Sequence, residues 1–214
     1  MKQLLYITAN SKSEKDSASK TVGHRLVDAI VLKNPDTQVH ELDLYKHHIP
    51  QLKGCYFESR SAIVSTEARK KLSPEEQKEV KAIETLCDQF RDADIYVLAA
   101  PMWSLSFPAP LKEYLDCVIQ SGKTIEFENN KPHGLLGNKH RVFIYVQSSG
   151  GSIPWIIRPA LNKGLNYVHD ITRFLGIDTF DELLVDGTGE TEQERLEAIE
   201  KATDEIDGLV HRLF

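Results

Sequence analysis

Cysteine is scarce in this chain, and what there is does not suit chemistry. Cys55, Cys87 and Cys117 form no CxxC pair, which argues against a thiolate zinc site, and their odd number argues against a disulfide framework. Cys87 and Cys117 fall on helical apolar patterns and are expected in the core, not as nucleophiles. Positive charge is also short. With 26 Lys and Arg against 32 Asp and Glu the net charge is −6, so a phosphate backbone is repelled on average and nucleic acid is not expected as a partner. No apolar run reaches the ~18 residues of a membrane span, and Met1–Thr8 carries too short an apolar stretch for a signal peptide. A cytoplasmic protein is expected. The eight histidines are scattered, and the adjacent pair His47-His48 lacks the i, i+4 spacing that aims two rings at one ion, so no metal is expected. Neither GxGxxG nor a Walker A sequence occurs, which removes a Rossmann dinucleotide and a nucleoside triphosphate from the first expectations.

What is there is an alternation of buried strands and amphipathic helices. Hydrophobic residues make up 41% and charged residues 27%, enough apolar content for one packed domain over residues 1–214. Leu4–Thr8 reads as a first strand, and Val22, Leu26 and Ile30 then recur at helical spacing until Asn34-Pro35. Gln38–Leu44 alternates as a second strand before an irregular segment, Tyr45–Phe57. Ser73-Pro-Glu-Glu76 is a capping box with proline at the first helical position, opening a helix with Val80, Ile83, Cys87 and Phe90 on its apolar stripe. Asp94–Ala100 is an uninterrupted apolar strand, followed by a helix from about Pro110 to Gln120. Arg141–Gln147 is a further strand, Asn162–Leu175 a helix capped by Gly176, and Thr179–Val185 a last strand. Thr191-Glu-Gln-Glu194 is a second capping box. It is expected to open one terminal helix with Leu196, Ile199, Ile206 and Val210 inward. Five strands alternating with five helices predict an α/β fold: a doubly wound, five-stranded parallel sheet with helices on both faces.

Three loops then fall at the carboxyl ends of buried strands, where open α/β sheets bind ligands. The first, Ala9–Ser19, brings Ser11, Ser13, Ser17 and Ser19 to a helix N-terminus, whose free amides and dipole suit a phosphate. Read alone, Ser17 or Ser19 is simply an N-cap. The second, Pro101–Pro110, is pre-shaped by Pro101, Pro108 and Pro110 and presents amides and two aromatics; read alone, it is an ordinary strand-to-helix connection. The third, Ser148-Ser-Gly-Gly151, allows close backbone approach and positive φ at its glycines, or is a plain turn. Convergence favours a site: one loop for a phosphate and two for a ring.

Together these segments resemble a known family. Ser11 with Ser17-Ala18-Ser19, Pro101–Lys112, Gly122–Phe127, Lys131–Leu135 and Ser148–Gly151 are similar to the FMN-dependent NADH azoreductases and quinone reductases of the flavodoxin-like superfamily, across essentially the whole chain. The resemblance implies that Ser11, Ser17, Ala18 and Ser19 hold the FMN phosphate. It implies that Met102, Trp103, Ser104 and Leu105 line the isoalloxazine, and that Ser148, Ser149, Gly150 and Gly151 contact its pyrimidine side. Trp103, Phe107 and Phe127 would shape the substrate cavity. The family usually has Asn at Ser104, Phe at Leu105, and Arg or Asn at Ser149, so a side-chain hydrogen bond, an aromatic contact and the field near the ring differ here. It also implies a homodimer with two flavins at the interface, where the segment after Gly122 caps the neighbouring site. The implied activity is ping-pong transfer of two electrons from NADH to quinones, protecting against electrophilic quinones, and cleavage of aromatic azo compounds to amines. The flavin carries the electron chemistry, so no catalytic side chain is assigned. Two other readings fit a phosphate-and-ring site: a flavodoxin-type electron carrier, and a regulatory module that binds a phosphate-bearing effector.

Overall fold

The computed structural model describes residues 1–152 and 156–214. In chain order the elements are β1 (Gln3–Thr8), α1 (Ala18–Lys33), β2 (Gln38–Asp43), β3 (Phe57–Ser59), β4 (Ala62–Ile63), α2 (Thr66–Arg69), α3 (Pro74–Asp92), β5 (Ile95–Pro101) and α4 (Ala109–Val118). They continue with β6 (Ile125–Glu128), β7 (Lys131–Gly134), β8 (Val142–Ser149), α5 (Arg158–Leu161), α6 (Lys163–Leu175), β9 (Thr179–Asp186), α7 (Glu192–Thr203) and α8 (Ile206–Leu213). Five strands form one parallel sheet in the order β2-β1-β5-β8-β9. Numbered among themselves they run 2-1-3-4-5, the doubly wound order whose switch point lies between the first and third strands.

Strand alternation divides the core in two. Leu5 and Ile7 of β1, Tyr96 and Leu98 of β5, and Phe143 and Tyr145 of β8 face α3, α4 and α6. Leu4, Tyr6, Ile95, Val97, Val142 and Ile144 face α1, α7 and α8. A strand buried on both sides has no polar face, which is why β5 and β8 read as continuous apolar runs. Cys87 and Cys117 are buried in this core, and burial pushes both thiols up to about 12. Both capping boxes form, at Ser73 with Glu76 and at Thr191 with Glu194, and Gly176 ends α6 at φ 99°.

Two expectations are corrected. The terminal helix is two helices, α7 and α8, with the break at Asp204 and Glu205. Leu196 is 43% exposed, while Ile199, Ile206 and Val210 are buried as read. Ile206, Leu209 and Val210 of α8 pack with α1 in the core of that face, while Leu196, three residues before the buried Ile199, lies on the outer side of α7. Outside the sheet, the hairpins β3–β4 and β6–β7 are joined by a bond from the Ser121 amide to the Ser61 carbonyl, 2.7 Å. Among the described residues no helix is long and apolar enough to cross a membrane.

Candidate functional site

The carboxyl ends of β1, β5 and β8 are held level by the register that pairs Thr8 with Ala99 and Pro101 with Ser148. The bonds continue past the strands: the Ala9 amide donates to Ala99, 2.9 Å, and the Met102 amide to Ser148, 2.7 Å. The three loops therefore open onto one cleft of about 380 Å³, within the ~300–1,000 Å³ usual for small-molecule sites. Ser17, Ala18, Met102, Trp103, Ser148, Ser149 and Gly150 line it.

Ser17 is the N-cap of α1. Its Oγ accepts from the Lys20 amide, 3.3 Å, and from Asn10 Nδ2, 2.8 Å, so the hydroxyl is fixed at the cleft wall. The first amides of α1, from Ala18 and Ser19, have no intrahelical acceptor by geometry, and they sit at the positive end of a 16-residue helix. Ser19 is fully buried behind Ser17, the two hydroxyl oxygens 3.3 Å apart. Ser11 is exposed beside the cleft, and Ser13 has its hydroxyl bonded to Asp16. Neither lines the cleft.

A buried cation fastens this loop from below. Lys20 is 5% exposed; its Nζ donates to Asp43 Oδ2, 3.0 Å, and to the Lys12 carbonyl, 3.1 Å. Burial raises the Asp43 pKa, but the hydrogen bonds from Lys20 and the Tyr45 amide outweigh it and leave the carboxyl below its ordinary range.

The second loop makes a tight turn. Trp103 and Ser106 exchange amide-to-carbonyl bonds of 3.2 and 2.8 Å, and the two residues between them, Ser104 and Leu105, take φ of 51° and 61°. That turn prefers Asn-Gly. Trp103 and Leu105 are left 44% and 47% exposed, an apolar pair beside a polar cleft. Ser104 and Leu105 are adjacent to the cleft without lining it, and so is Gly151. Phe107 turns away and packs against Tyr167, ring centroids 5.7 Å apart. Phe127 is half-buried under the Arg60 guanidinium, 5.6 Å, in a separate depression of the two hairpins. Within one chain it is not at the cleft.

In the third loop neither Gly150 nor Gly151 has positive φ, contrary to one reading of the pair. What glycine provides is space: a Cβ at either position would meet nothing within 4 Å. Ser149 Oγ donates to the Gly151 carbonyl or bonds Asp186 Oδ1, both 2.7 Å, which binds the loop to β9.

Sequence reasoning missed a fourth wall. Thr188, Gly189, Glu190, Thr191 and Glu192 line the cleft with Arg195. They are brought there by bonds from the Thr188 and Gly189 amides to the Ser149 and Gly150 carbonyls, 3.0 Å each. Gly187 and Gly189, at φ 77° and 54°, were the available signal. The Glu192 carboxylate bonds Arg195 twice, at 2.9 and 2.5 Å, and raises its pKa. Asn10 and Lys12 were also missed. Lys12 lines the cleft with no carboxylate partner among the described residues. Among the described residues no cluster of His, Cys, Asp and Glu is placed to hold a metal.

The donor set suits FMN. Free amides at a helix start, a fixed serine and an unpaired lysine meet a phosphate. Two further loops and open space beside Gly150 leave room for a flat heterocycle. These features define an α/β protein of the flavodoxin type. The chain belongs to the flavodoxin-like fold family, whose profile matches residues 2–209, and within it to the FMN-dependent NADH:quinone oxidoreductases. It is 67% identical over 213 residues to an FMN-dependent NADH:quinone oxidoreductase of Ruminiclostridium cellulolyticum, covering all of both chains. It is 52% identical over 215 residues to one of Clostridium botulinum, again over all of both. The fold is also that of an FMN-dependent NADH-azoreductase from Bacillus anthracis solved in complex with FMN, with TM-score 0.81 and 22% identity, over 100% of this chain and 99% of that one.

Proposed function

We propose that this protein is a cytoplasmic FMN-dependent NADH:quinone oxidoreductase that also cleaves aromatic azo compounds to amines. The observation that carries it is the meeting of three ligand-type loops in one cleft at the switch point of the sheet. Bound FMN would supply reversible two-electron chemistry, taking hydride from NADH and passing reducing equivalents on. The chain's part is to bind and orient. Ser17, the amides of Ala18 and Ser19, and Lys12 hold the phosphate, with Ser11 outside the cleft. Met102, Trp103, Ser104 and Leu105 line the ring, and Ser148, Ser149, Gly150 and Gly151 meet its pyrimidine edge. Trp103 and Leu105 flank the exposed face of the cleft, where apolar surface suits a planar acceptor and excludes water. No side chain is required as nucleophile, and the two core cysteines are too buried to act as one. One cavity serves donor and acceptor in turn, giving ping-pong turnover. The chain acts as a homodimer in which the β6–β7 hairpin carries Phe127 to the partner's site, with Trp103 completing the substrate cavity and Phe107 supporting its loop from the core side.

The test is a visible spectrum of the purified protein after FMN addition, followed by anaerobic NADH. A bound-flavin spectrum that bleaches with NADH and recovers with a quinone is expected. Bound flavin that NADH does not reduce makes the protein an electron carrier; no flavin binding makes it a phosphate-effector module.

A further inference from the structure

The Trp103–Ser106 turn contradicts its own sequence. Two consecutive left-handed residues suit Asn-Gly, yet the positions are Ser104 and Leu105, and a Cβ on each crowds the backbone there. Something outside the turn must hold it. The Leu105 carbonyl accepts a bond from the Gly164 amide, 3.2 Å, in the first turn of α6, where that amide has no intrahelical acceptor. Gly164 is also where the two backbones touch. A Cβ there would lie 2.7 Å from Ser106 C and 2.9 Å from its Cα and O, all main-chain atoms that cannot swing aside. The amino end of α6 is set in turn by Asn162, which is 2% exposed. Its Oδ1 accepts from the Leu165 amide, 3.1 Å, and its Nδ2 donates to Gln147 Oε1 on β8. Gln147, 1% exposed, also donates to the Tyr145 hydroxyl, 3.3 Å.

We propose that the amino end of α6 is a clamp: Gly164 grips the Leu105 carbonyl and Asn162 aims that end from β8, so both are positioning residues for the flavin-ring loop. The proposal rests on the reading of Met102–Leu105 as that loop. It explains a glycine in a buried helical turn, where helix propensity alone disfavours it.

The test uses the full chain with Gly164→Ala, Asn162→Ala, and Asn162→Ala combined with Ser104→Asn and Leu105→Gly, which make the turn sufficient to itself. Amide hydrogen exchange is followed in the FMN-free proteins, and FMN affinity by quenching of flavin fluorescence. Each single variant should speed exchange at residues 104–107 and raise the FMN Kd about tenfold, the scale of one lost hydrogen bond. Because Ser104 and Leu105 line the ring, Ser104→Asn with Leu105→Gly alone is the reference: adding Asn162→Ala to it should change exchange at residues 104–107 and the FMN Kd by less than about twofold. Wild-type exchange and affinity in the single variants would overturn the clamp. So would losses spread evenly over α6 and β8 that the turn substitutions do not relieve, since that is packing alone. If Gly164→Ala does not fold, the Asn162 pair decides. Wild-type protein that binds no FMN would strike the functional reading instead, leaving the exchange data to judge the clamp.

Discussion

The phosphate-type loop and the ring-type loop stand side by side on neighbouring strands, yet they are held by opposite means. Ala9–Ser19 closes on itself: Asn10 Oδ1 accepts from the Lys12 amide, 3.0 Å, Asn10 Nδ2 reaches Ser17, and the Ser17 amide donates to Glu14, 3.0 Å. None of its residues has positive φ. The Trp103–Ser106 turn holds two residues in the left-handed region and takes its external bond from Gly164, with Met102 just before it bonded to Ser148. One conformation is written in its own residues and the other in residues far along the chain. Damage to the first should therefore come from its own side chains, and damage to the second from positions that never meet a ligand.

The largest expected effect probes the buried tie that holds the self-closing loop to β2. Lys20→Met takes the buried cation from Asp43, which keeps only the exposed Lys46 Nζ at 3.6 Å, and frees the Lys12 carbonyl. Breaking a buried pair costs ~3–5 kcal/mol, and because the Asp43 side chain is 21% exposed we expect about 2–3 kcal/mol, or roughly 5–10 °C in Tm. Thermal unfolding of the FMN-free protein measures it; a change under about 1 °C would mean that local closure alone suffices. Next, Ser17→Ala removes an N-cap and orphans the buried Asn10 amide, so about 1–2 kcal/mol should be lost in urea unfolding. Ser19→Ala, whose hydroxyl has one 3.3 Å neighbour, should cost within ~0.5 kcal/mol. If Ser19 nevertheless lowers FMN affinity as much as Ser17 does, cap and ligand are separated; equal stability losses would erase the distinction.

The ring-type loop should respond in the other direction. Leu105→Gly relieves left-handed strain of ~1–2 kcal/mol, against ~0.5–1 kcal/mol for the flexibility glycine adds to the unfolded chain, while Ser104→Asn keeps its Cβ and adds only a few tenths. A net gain of about 0.5–1 kcal/mol in urea unfolding is expected, since the 47% exposed Leu105 side chain gives up little burial. Destabilisation would show that Leu105 contributes packing that outweighs its strain.

How much of this was legible beforehand follows from the same contrast. The boxes at Ser73 and Thr191 announced helix starts that form as read, because caps are local signals, though the helix opened at Thr191 ends earlier than expected. One five-stranded parallel sheet followed from the alternation of strands with helices, whereas the order of its strands is seen only in the fold. Ser17, Ala18, Met102, Trp103 and Ser148–Gly150 converge because strand ends fix where loops begin. The wall from Thr188 to Arg195 was missed: it reaches the cleft only through backbone bonds to Ser149 and Gly150, which no side-chain pattern records. Leu196 was misplaced because its spacing from Ile199 does not tell the centre of an apolar stripe from its edge, and the break at Asp204 was missed because no proline or glycine marks it.

The smallest expected effect asks what Lys20 senses. The Asp43 pKa lies below its ordinary 3.8 in the folded chain, so its contribution is full above that value and lost as the pH falls through the lowered one. Asp94 shifts the same way: burial raises it, but the bonds from Lys139 and the Gln3 amide prevail. An acid limb in the wild type therefore mixes both carboxylates. Asp94 lies at the opposite end of the sheet, beside the start of β5, and it is untouched by Lys20→Met. Its share cancels in the difference between the two proteins. That difference should be full at about pH 6 and shrink by less than ~1 kcal/mol by about pH 3, as Asp43 takes its proton and Lys20 keeps only the Lys12 carbonyl. Urea unfolding of both proteins across this range measures it. A difference that stays flat would assign the stabilisation to the Lys12 bond, making the phosphate-type loop as dependent on one backbone anchor as the ring-type loop is on Gly164.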